Sequence, residues 1–208
     1  ENLIEAGVKI ALPASSSRAI GINYSGTGSV LHEHRSPTLV EVIDRTNQRS
    51  NNLYAETLLR EINKSRGLAQ HELSSTKMVL DHLKNELGLN TDGIQLVDGS
   101  GLGTRNFFSP AFMTAFLRTQ ADNETFLGSI PVAGKTGSMR NRLKGTAAVG
   151  RLYAKSGSLN AARCYAGYAF PGDGRRLAFA IMVNNYTLSG KEINALLLDL
   201  MLLLCKSK

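Results

Sequence analysis

The sequence has no tryptophan and only two cysteines among its 208 residues, Cys164 and Cys205. So few cysteines in a chain of this length exclude a disulfide-stapled miniprotein, and buried free thiols are the favoured interpretation. No hydrophobic run is long enough to cross a bilayer. The longest, residues 195–204, is interrupted by Asp199 and predicts a helix that is apolar nearly all round and therefore buried. Because the chain begins with the acidic Glu1, we expect no signal peptide in it.

Acidic residues are absent between Glu124 and Asp173. The net charge is +7, from 24 Lys and Arg against 17 Asp and Glu. The whole excess lies in this segment, on Lys135, Arg140, Arg142, Lys144, Arg151, Lys155 and Arg163. Such a segment is either a solvated basic surface or a source of potential that attracts an anionic substrate. We do not expect nucleic acid as the partner, because the segment has few aromatic side chains on which bases could stack.

The composition, with 42% hydrophobic and 20% charged residues, is that of a globular protein with a core of its own. Residues 18–34 contain two strand-like runs. Ser36-Pro37 predicts the start of a helix that ends before Ser50, and periodicity predicts further helices over 53–64 and 75–87. Residues 94–97 resemble a short strand. The glycine-rich segment 98–103 predicts a loop, and Ser109-Pro110 predicts another helix start.

After Gly150 the pattern changes to strands. Residues 152–158, 161–170 and 177–183 predict three strands, with a turn signal at 171–174 between the last two. Ser189 and Glu192 form a capping box that predicts the start of a closing helix. The sequence therefore predicts an α+β fold, in which an antiparallel sheet is flanked by helices.

Several short motifs have weak support. Gly134-Lys135-Thr136 resembles the end of a phosphate-binding loop, but the glycine required six residues before the lysine is replaced by Ser129. His32 and His34 have no third metal ligand nearby, so no metal site is expected. Ser74 to Lys77 matches the pattern Ser-x-x-Lys, but this pattern is common at helix starts, where the serine caps the helix.

Two further motifs occur together in an order that is more informative. Ser50-Asn51-Asn52 lies between two predicted helices, and Lys155-Ser156-Gly157-Ser158 lies on a predicted strand before a hairpin. They resemble the second and third of the motifs Ser-x-x-Lys, Ser-Asp-Asn and Lys-Thr-Gly, the signature of penicillin-recognising serine acyltransferases. Acyl transfer needs a proton path, an oxyanion site and a means of holding the substrate.

Each residue type in the strand motif suits part of that chemistry. Lys155 adds positive potential for an anionic C-terminus, and the Ser156 hydroxyl is able to bind the substrate carboxylate. Gly157 lets a peptide approach the strand closely, and the Ser158 N–H is a candidate oxyanion donor.

The residues of the other motif complete the predicted site. Ser50 is a candidate proton relay to the leaving amine, and the Asn52 amide is a candidate for holding a catalytic lysine and the substrate amide.

Longer stretches of the chain carry a family resemblance. They are Arg49–Glu56, Asp98–Leu102, Ile130–Gly134, Leu152–Leu159 and Tyr165–Tyr168. In these stretches the chain resembles the D-alanyl-D-alanine carboxypeptidases/endopeptidases of the class C low-molecular-mass penicillin-binding proteins. The resemblance implies a β-lactamase/transpeptidase-like fold and cleavage of peptidoglycan stem peptides through an acyl-enzyme that β-lactams mimic. It also implies a periplasmic or other extracytoplasmic location, no metal or organic cofactor, and Leu102 as a lining residue of the substrate pocket.

This chain departs from the family pattern in three places. Asn51 replaces the commoner Asp, at a position that we expect to face away from the chemistry, and Ser156 replaces Thr. Nothing upstream of Ser50 matches Ser-x-x-Lys, and Ser74 to Lys77 lies in the wrong order. Residues 1–208 are therefore interpreted as the C-terminal part of an incomplete transpeptidase-like domain, with residues 1–30 a candidate tail of a preceding inserted domain.

The missing N-terminal part would supply the nucleophile and the general base. We expect the chain alone to be inactive and to expose an apolar seam where that part packs, so that it self-associates. Three alternatives stay open from the sequence. They are a non-catalytic peptidoglycan-binding module, a related hydrolase of β-lactams or esters, and a nucleotide-binding protein that uses Gly134–Thr136.

Overall fold

The computed structural model describes residues 2–10, 15, 32–67 and 72–206. The chain divides into two units, Glu1–Ser36 and Pro37–Lys208. Within the first unit, helix α1 covers Asn2–Glu5. The two strand-like runs in residues 18–34 lie outside the described residues except for 32–34, which form no regular element.

Helix α2, Leu39–Arg49, begins later than the sequence predicted. Its cap is Thr38 and not Ser36, because Glu41 follows Thr38 by three residues and completes a capping box. The Glu41 carboxylate accepts the Thr38 N–H at 2.8 Å, and the Thr38 hydroxyl accepts the Glu41 N–H at 3.4 Å. The predicted end is confirmed, since Ser50 follows the helix in the left-handed conformation.

Helices α3, Asn52–Ser65, and α4, Glu72–Asn85, form an adjacent pair. Leu59 of α3 is part of the buried core. The prediction that Ser74 caps α4 is wrong, because the helix has already begun at Glu72. Lys77, the last residue of that Ser-x-x-Lys pattern, pairs with Asp81 at 2.6 Å on the exposed face of α4.

The prediction of a short strand over 94–97 is wrong. The structure has only an isolated antiparallel bridge between Gln95 and Phe107, which closes the glycine-rich loop between them. Helix α5, Pro110–Thr119, begins as predicted with Ser109 as its cap. Helix α6, Glu124–Ser129, was not predicted, and a single-turn 3₁₀ helix follows at Gly137–Met139.

Within the described residues the sheet contains three antiparallel strands, β1 Leu152–Leu159, β2 Ala162–Ala169 and β3 Leu177–Asn184, in that spatial order. The predicted antiparallel sheet flanked by helices is therefore confirmed. One face of the sheet packs on α7, and α5 packs on β2 and β3. Strand β1, which carries the lysine motif, lies at one side of the sheet.

The closing helix α7, Gly190–Lys206, begins at the predicted capping box of Ser189 and Glu192. One face buries Ile193, Asn194, Leu197, Met201 and Cys205. The prediction that this helix is buried all round is wrong. Leu196, Leu200 and Leu203 are 52%, 49% and 59% exposed and form an apolar stripe, which we call the α7 stripe. In the part of the chain that the structure describes, no helix is both long and apolar enough to span a membrane.

Candidate active site

Described residues cover the first half of the outer edge of β1, and the second half, which we call the open half, has no backbone partner among the described residues. Residues 131–133 run beside its first half, where Ala133 N donates to Leu152 O and Ala154 N donates to Pro131 O, both at 2.9 Å. Backbone groups of successive strand residues point to alternate sides. The outward direction of Leu152 and Ala154 therefore continues at Ser156 and Ser158, beyond the covering segment.

Ser50 and Lys155 meet at this edge. The Lys155 ammonium donates hydrogen bonds to Ser50 Oγ and, at 2.9 Å, to the Ser156 carbonyl oxygen. Ser50 occupies the bend between α2 and α3, with φ 54° and ψ 49°. The structure thus brings one residue of the predicted asparagine-rich motif into direct contact with the strand motif.

Partly buried hydrogen bonds hold the bend that carries Ser50. The Asn47 amide donates to Ser129 Oγ at 2.7 Å, and the Gln48 amide donates to the Ser129 carbonyl at 3.0 Å. Ser129 is almost fully buried and in turn donates to Phe126 O at 2.7 Å. These contacts join α2 to the end of α6, directly before the segment that covers β1. Sequence reasoning missed them, since the partners are about 80 residues apart.

Burial determines the electrostatics of the lysine. Desolvation lowers the pKa of Lys155, while the neighbouring Cys164 raises it in part. Burial also raises the pKa of the Cys164 thiol, against the opposing effect of the Lys155 charge. An ammonium with a lowered pKa gives up its proton more readily, which suits it to proton transfer through a bound hydroxyl.

Gly157 lies directly opposite Cys164 in the β1–β2 ladder. A Cβ at Gly157 would lie 2.6 Å from the Cys164 sulfur, which is too close for any other residue without a shift. The glycine therefore lets the thiol pack beneath the motif. Both cysteines are free, as the sequence favoured.

The two asparagines of the first motif have different environments. Asn51 Oδ1 accepts the Tyr54 N–H at 3.1 Å and caps α3, which explains why an amide suffices where an aspartate is commoner. Asn52 is the first residue of α3. Its side chain is exposed and makes no hydrogen bond to any other described residue.

The glycine-rich loop is fastened by two carboxylates that sequence reasoning missed. Glu56 Oε1 accepts the N–H groups of Gly99 at 3.0 Å and Ser100 at 2.9 Å, which ties the loop to α3. Asp98 accepts the N–H groups of Gly101 and Gly103 in the same loop. Leu102 lies on this fastened loop with 58% of its surface exposed.

The lysine of the phosphate-loop candidate occupies a tight turn. Gly134 N donates to Met139 O at 3.1 Å, and Val132 N donates to Thr136 Oγ1 at 3.0 Å. Only a single turn of 3₁₀ helix follows, so the helix N-terminus that a phosphate-binding loop needs is missing. No group of His, Cys, Asp and Glu suited to a metal ion occurs among the residues that the structure describes.

The fold is shared with a solved structure of known type. The chain aligns with penicillin-binding protein 4 of Haemophilus influenzae, solved in complex with a β-lactam. The TM-score is 0.72 at 26% identity, over 80% of this chain and 41% of that one. The fold is therefore of the β-lactamase/transpeptidase-like class. The chain belongs to the D-Ala-D-Ala carboxypeptidase 3 (S13) family, which it matches over residues 10–201.

Two curated relatives illustrate the family. A penicillin-sensitive carboxypeptidase A of Dictyostelium discoideum is 28% identical over an alignment of 214 positions, gaps included, which covers 98% of this chain and 40% of the relative. A D-alanyl-D-alanine carboxypeptidase of Actinomadura is 34% identical over 76% of this chain and 30% of the relative. The chain thus spans two fifths or less of the length of these relatives.

Proposed function

We propose that this chain is the C-terminal part of a serine-type D-Ala-D-Ala carboxypeptidase or endopeptidase that acts on peptidoglycan stem peptides. A serine in an upstream segment attacks the carbonyl of a D-alanine residue and forms an acyl-enzyme. The leaving group is D-alanine when the D-Ala-D-Ala bond breaks, or the cross-linking amine when the bond to a cross-link breaks, and water then releases the acyl group. The hydrogen bond between Lys155 and Ser50 is the observation that carries the proposal, because it joins the two residues to which the proposal assigns proton transfer.

In this proposal Ser50 passes a proton to the leaving amine. The Lys155 ammonium stabilises the Ser50 oxygen while the proton moves, and its lowered pKa supports that exchange. Asn52, exposed beside Ser50, is available to hold the upstream lysine and the substrate amide. This assignment explains why its side chain has no partner among the described residues.

The open half of the β1 edge binds the substrate as an added strand. Ser158 directs its N–H outward, where it stabilises the oxyanion, and the Ser156 hydroxyl binds the terminal carboxylate. Gly157 keeps this part of the strand clear of a side chain, and Leu102 supplies an apolar contact for the substrate side chain. Loss of one oxyanion donor typically lowers kcat about 10²–10³-fold.

The α7 stripe is where the upstream part of the protein packs. Three leucines on one helix face, each about half exposed, are unusual for a surface that only solvent contacts. The chain also covers less than half the length of its relatives. Residues 1–30 fit the tail of an inserted domain in that longer chain. Substrates of this kind place the protein outside the cytoplasmic membrane, in the periplasm or its equivalent.

A fluorescent penicillin tests the proposed function. We expect the longer protein, including an upstream Ser-x-x-Lys segment, to be labelled covalently, and the 208-residue chain alone to remain unlabelled. Ser50→Ala and Lys155→Met should slow labelling, whereas Lys144→Met, an exposed lysine of the same basic segment, should not. Absence of labelling in the longer protein would indicate a non-catalytic binding module. Rapid loss of the label would indicate a β-lactam hydrolase.

A further inference from the structure

Arg163 is a cation on β2 that no described carboxylate pairs with. It lies directly opposite Ser158 in the ladder. Its Nη1 donates to Asn194 Oδ1 at 3.3 Å, and the same oxygen accepts the Tyr165 hydroxyl at 2.6 Å. The Arg163 Nε is buried without a hydrogen-bond partner among the described residues.

A guanidinium has five N–H donors, and within the described part of the chain Arg163 uses only Nη1. The group also lies at the beginning of α7, with Nη2 3.5 Å from where a Cβ of Gly190 would be. The N-terminus of a helix carries partial positive charge, so this location disfavours a cation. The hydrogen bonds through Asn194 and Tyr165 nevertheless hold the guanidinium there, on a segment without acidic residues. A bound anion would compensate this positive charge.

The register of the sheet places that unmet charge beside the strand motif. Residues directly opposite in an antiparallel pair share a face, so the side chains of Arg163 and Ser158 lie on the same side of the sheet. Ser156 is the diagonal neighbour on this face, at a separation that a long side chain spans. Lys155, by contrast, projects to the opposite face, as its pairing with Ala166 requires.

We propose that Arg163 binds the terminal carboxylate of the substrate together with the Ser156 hydroxyl. The ligand class is an acyl-D-Ala-D-Ala peptide with a free C-terminus, which rests on the proposed function above. The two cations then have different roles on the two faces of the sheet. Lys155 takes part in proton transfer, and Arg163 binds the carboxylate end of the substrate. Asn194 is a positioning residue that aims the guanidinium.

The first test needs no catalysis. We would follow the Arg163 side-chain N–H signals of the 208-residue chain by NMR, assigned through their loss in Arg163→Lys. N-acyl-D-Ala-D-Ala should shift these signals, and the same peptide with a C-terminal carboxamide should not. Equal shifts with both peptides, or no shift with the carboxylate peptide, would overturn the proposal.

The second test uses the longer protein. Arg163→Met should raise KM for the carboxylate peptide roughly 10- to 100-fold, the range for loss of a charge-assisted hydrogen bond, and should leave the carboxamide peptide within a few-fold. Arg140→Met removes the same charge from an exposed position and should change neither. A lower Tm with equal loss on both peptides would show a purely structural arginine. A wild-type protein that turns over neither peptide, while the NMR signals still shift, would refute the proposed function and not the Arg163 site.

Discussion

Lys155 and Ser50, separated by 105 positions in the sequence, share a hydrogen bond beside strand β1. The contact joins a side chain on a strand to a bend between two helices. Both elements are held independently, the strand by its ladder with β2 and the bend by Asn47 and Gln48. The pair is therefore imposed by the fold and not by the strength of one surface hydrogen bond.

Replacement of Lys155 should stabilise the chain. Because burial lowers the folded-state pKa of Lys155 below its usual 10.5, the unfolded chain binds more protons between the two pKa values. The contribution of Lys155 to the free energy of unfolding therefore rises with pH across that window. We expect Lys155→Met to raise Tm near neutral pH, with a gain that shrinks as pH approaches 10.5. Lys144→Met is the control, and an equal gain there at every pH would contradict this account.

Two substitutions of Ser50 should separate the effect of its backbone conformation on stability from the effect of its hydroxyl on the reaction. A left-handed residue other than glycine costs about 1 kcal/mol, so Ser50→Gly should be more stable than Ser50→Ala by about that amount. Both variants lose the hydroxyl, and both should slow penicillin labelling of the longer protein about 10²-fold or more. Urea unfolding and labelling rates measure the two effects. A Ser50→Gly protein with normal labelling would exclude Ser50 from the proton path.

Glu56 should govern the order of the glycine-rich loop. Glu56→Ala leaves two backbone N–H groups without their acceptor and should lower the free energy of unfolding by about 1–3 kcal/mol. Hydrogen exchange at Gly99 and Ser100 should accelerate in the same variant. Glu56→Gln keeps one acceptor oxygen and should recover part of both losses. Glu61→Ala, on the exposed side of the same helix, should change stability by less than about 0.5 kcal/mol.

The α7 stripe should drive self-association of the isolated chain. Leu200→Glu places a charge in the middle of the stripe and should shift the chain toward a monomer in analytical ultracentrifugation. Leu39→Glu alters a leucine of similar exposure on α2 and should leave the distribution unchanged. A wild-type chain that is already monomeric at high concentration would count against the packing surface.

Cys164 should react slowly with alkylating reagents. Burial raises its thiol pKa above the usual 9.0, and the Lys155 charge partly opposes that increase. In a Cys205→Ala background, the midpoint of the iodoacetamide rate against pH should lie above 9.0 and move higher still in Lys155→Met. A midpoint that falls when the lysine is removed would show that the two groups are not coupled as the structure indicates.

The sequence predicted most elements of the second unit because their signals are local. Periodicity and capping residues located α3, α5 and the start of α7, and alternation located the three strands. The predicted start of α2 was wrong by two residues, because two capping candidates stand close together and only Thr38 has a glutamate three residues after it.

Other features depend on partners that are distant in sequence. The hydrogen bonds of Asn47 and Gln48 to Ser129 follow no spacing rule. In the sequence, Glu56 cannot be told from any exposed glutamate of a helix. The exposed face of α7 was unpredictable for a different reason. Hydrophobicity predicts that a helix face is buried, but it does not show which segment covers that face.

The short segment 131–133 also limits how a guest strand is able to align. It occupies the edge of β1 as far as Ala154, so a peptide bound in the proposed way would pair with Ser156 and Ser158 beyond it. Two paired residues are enough to set the register of a peptide end but too few to pair with a long peptide along its length. In the proposed binding mode the covering segment would therefore fix the position of a bound peptide relative to its terminus. It also shortens the strand edge that is available for aggregation.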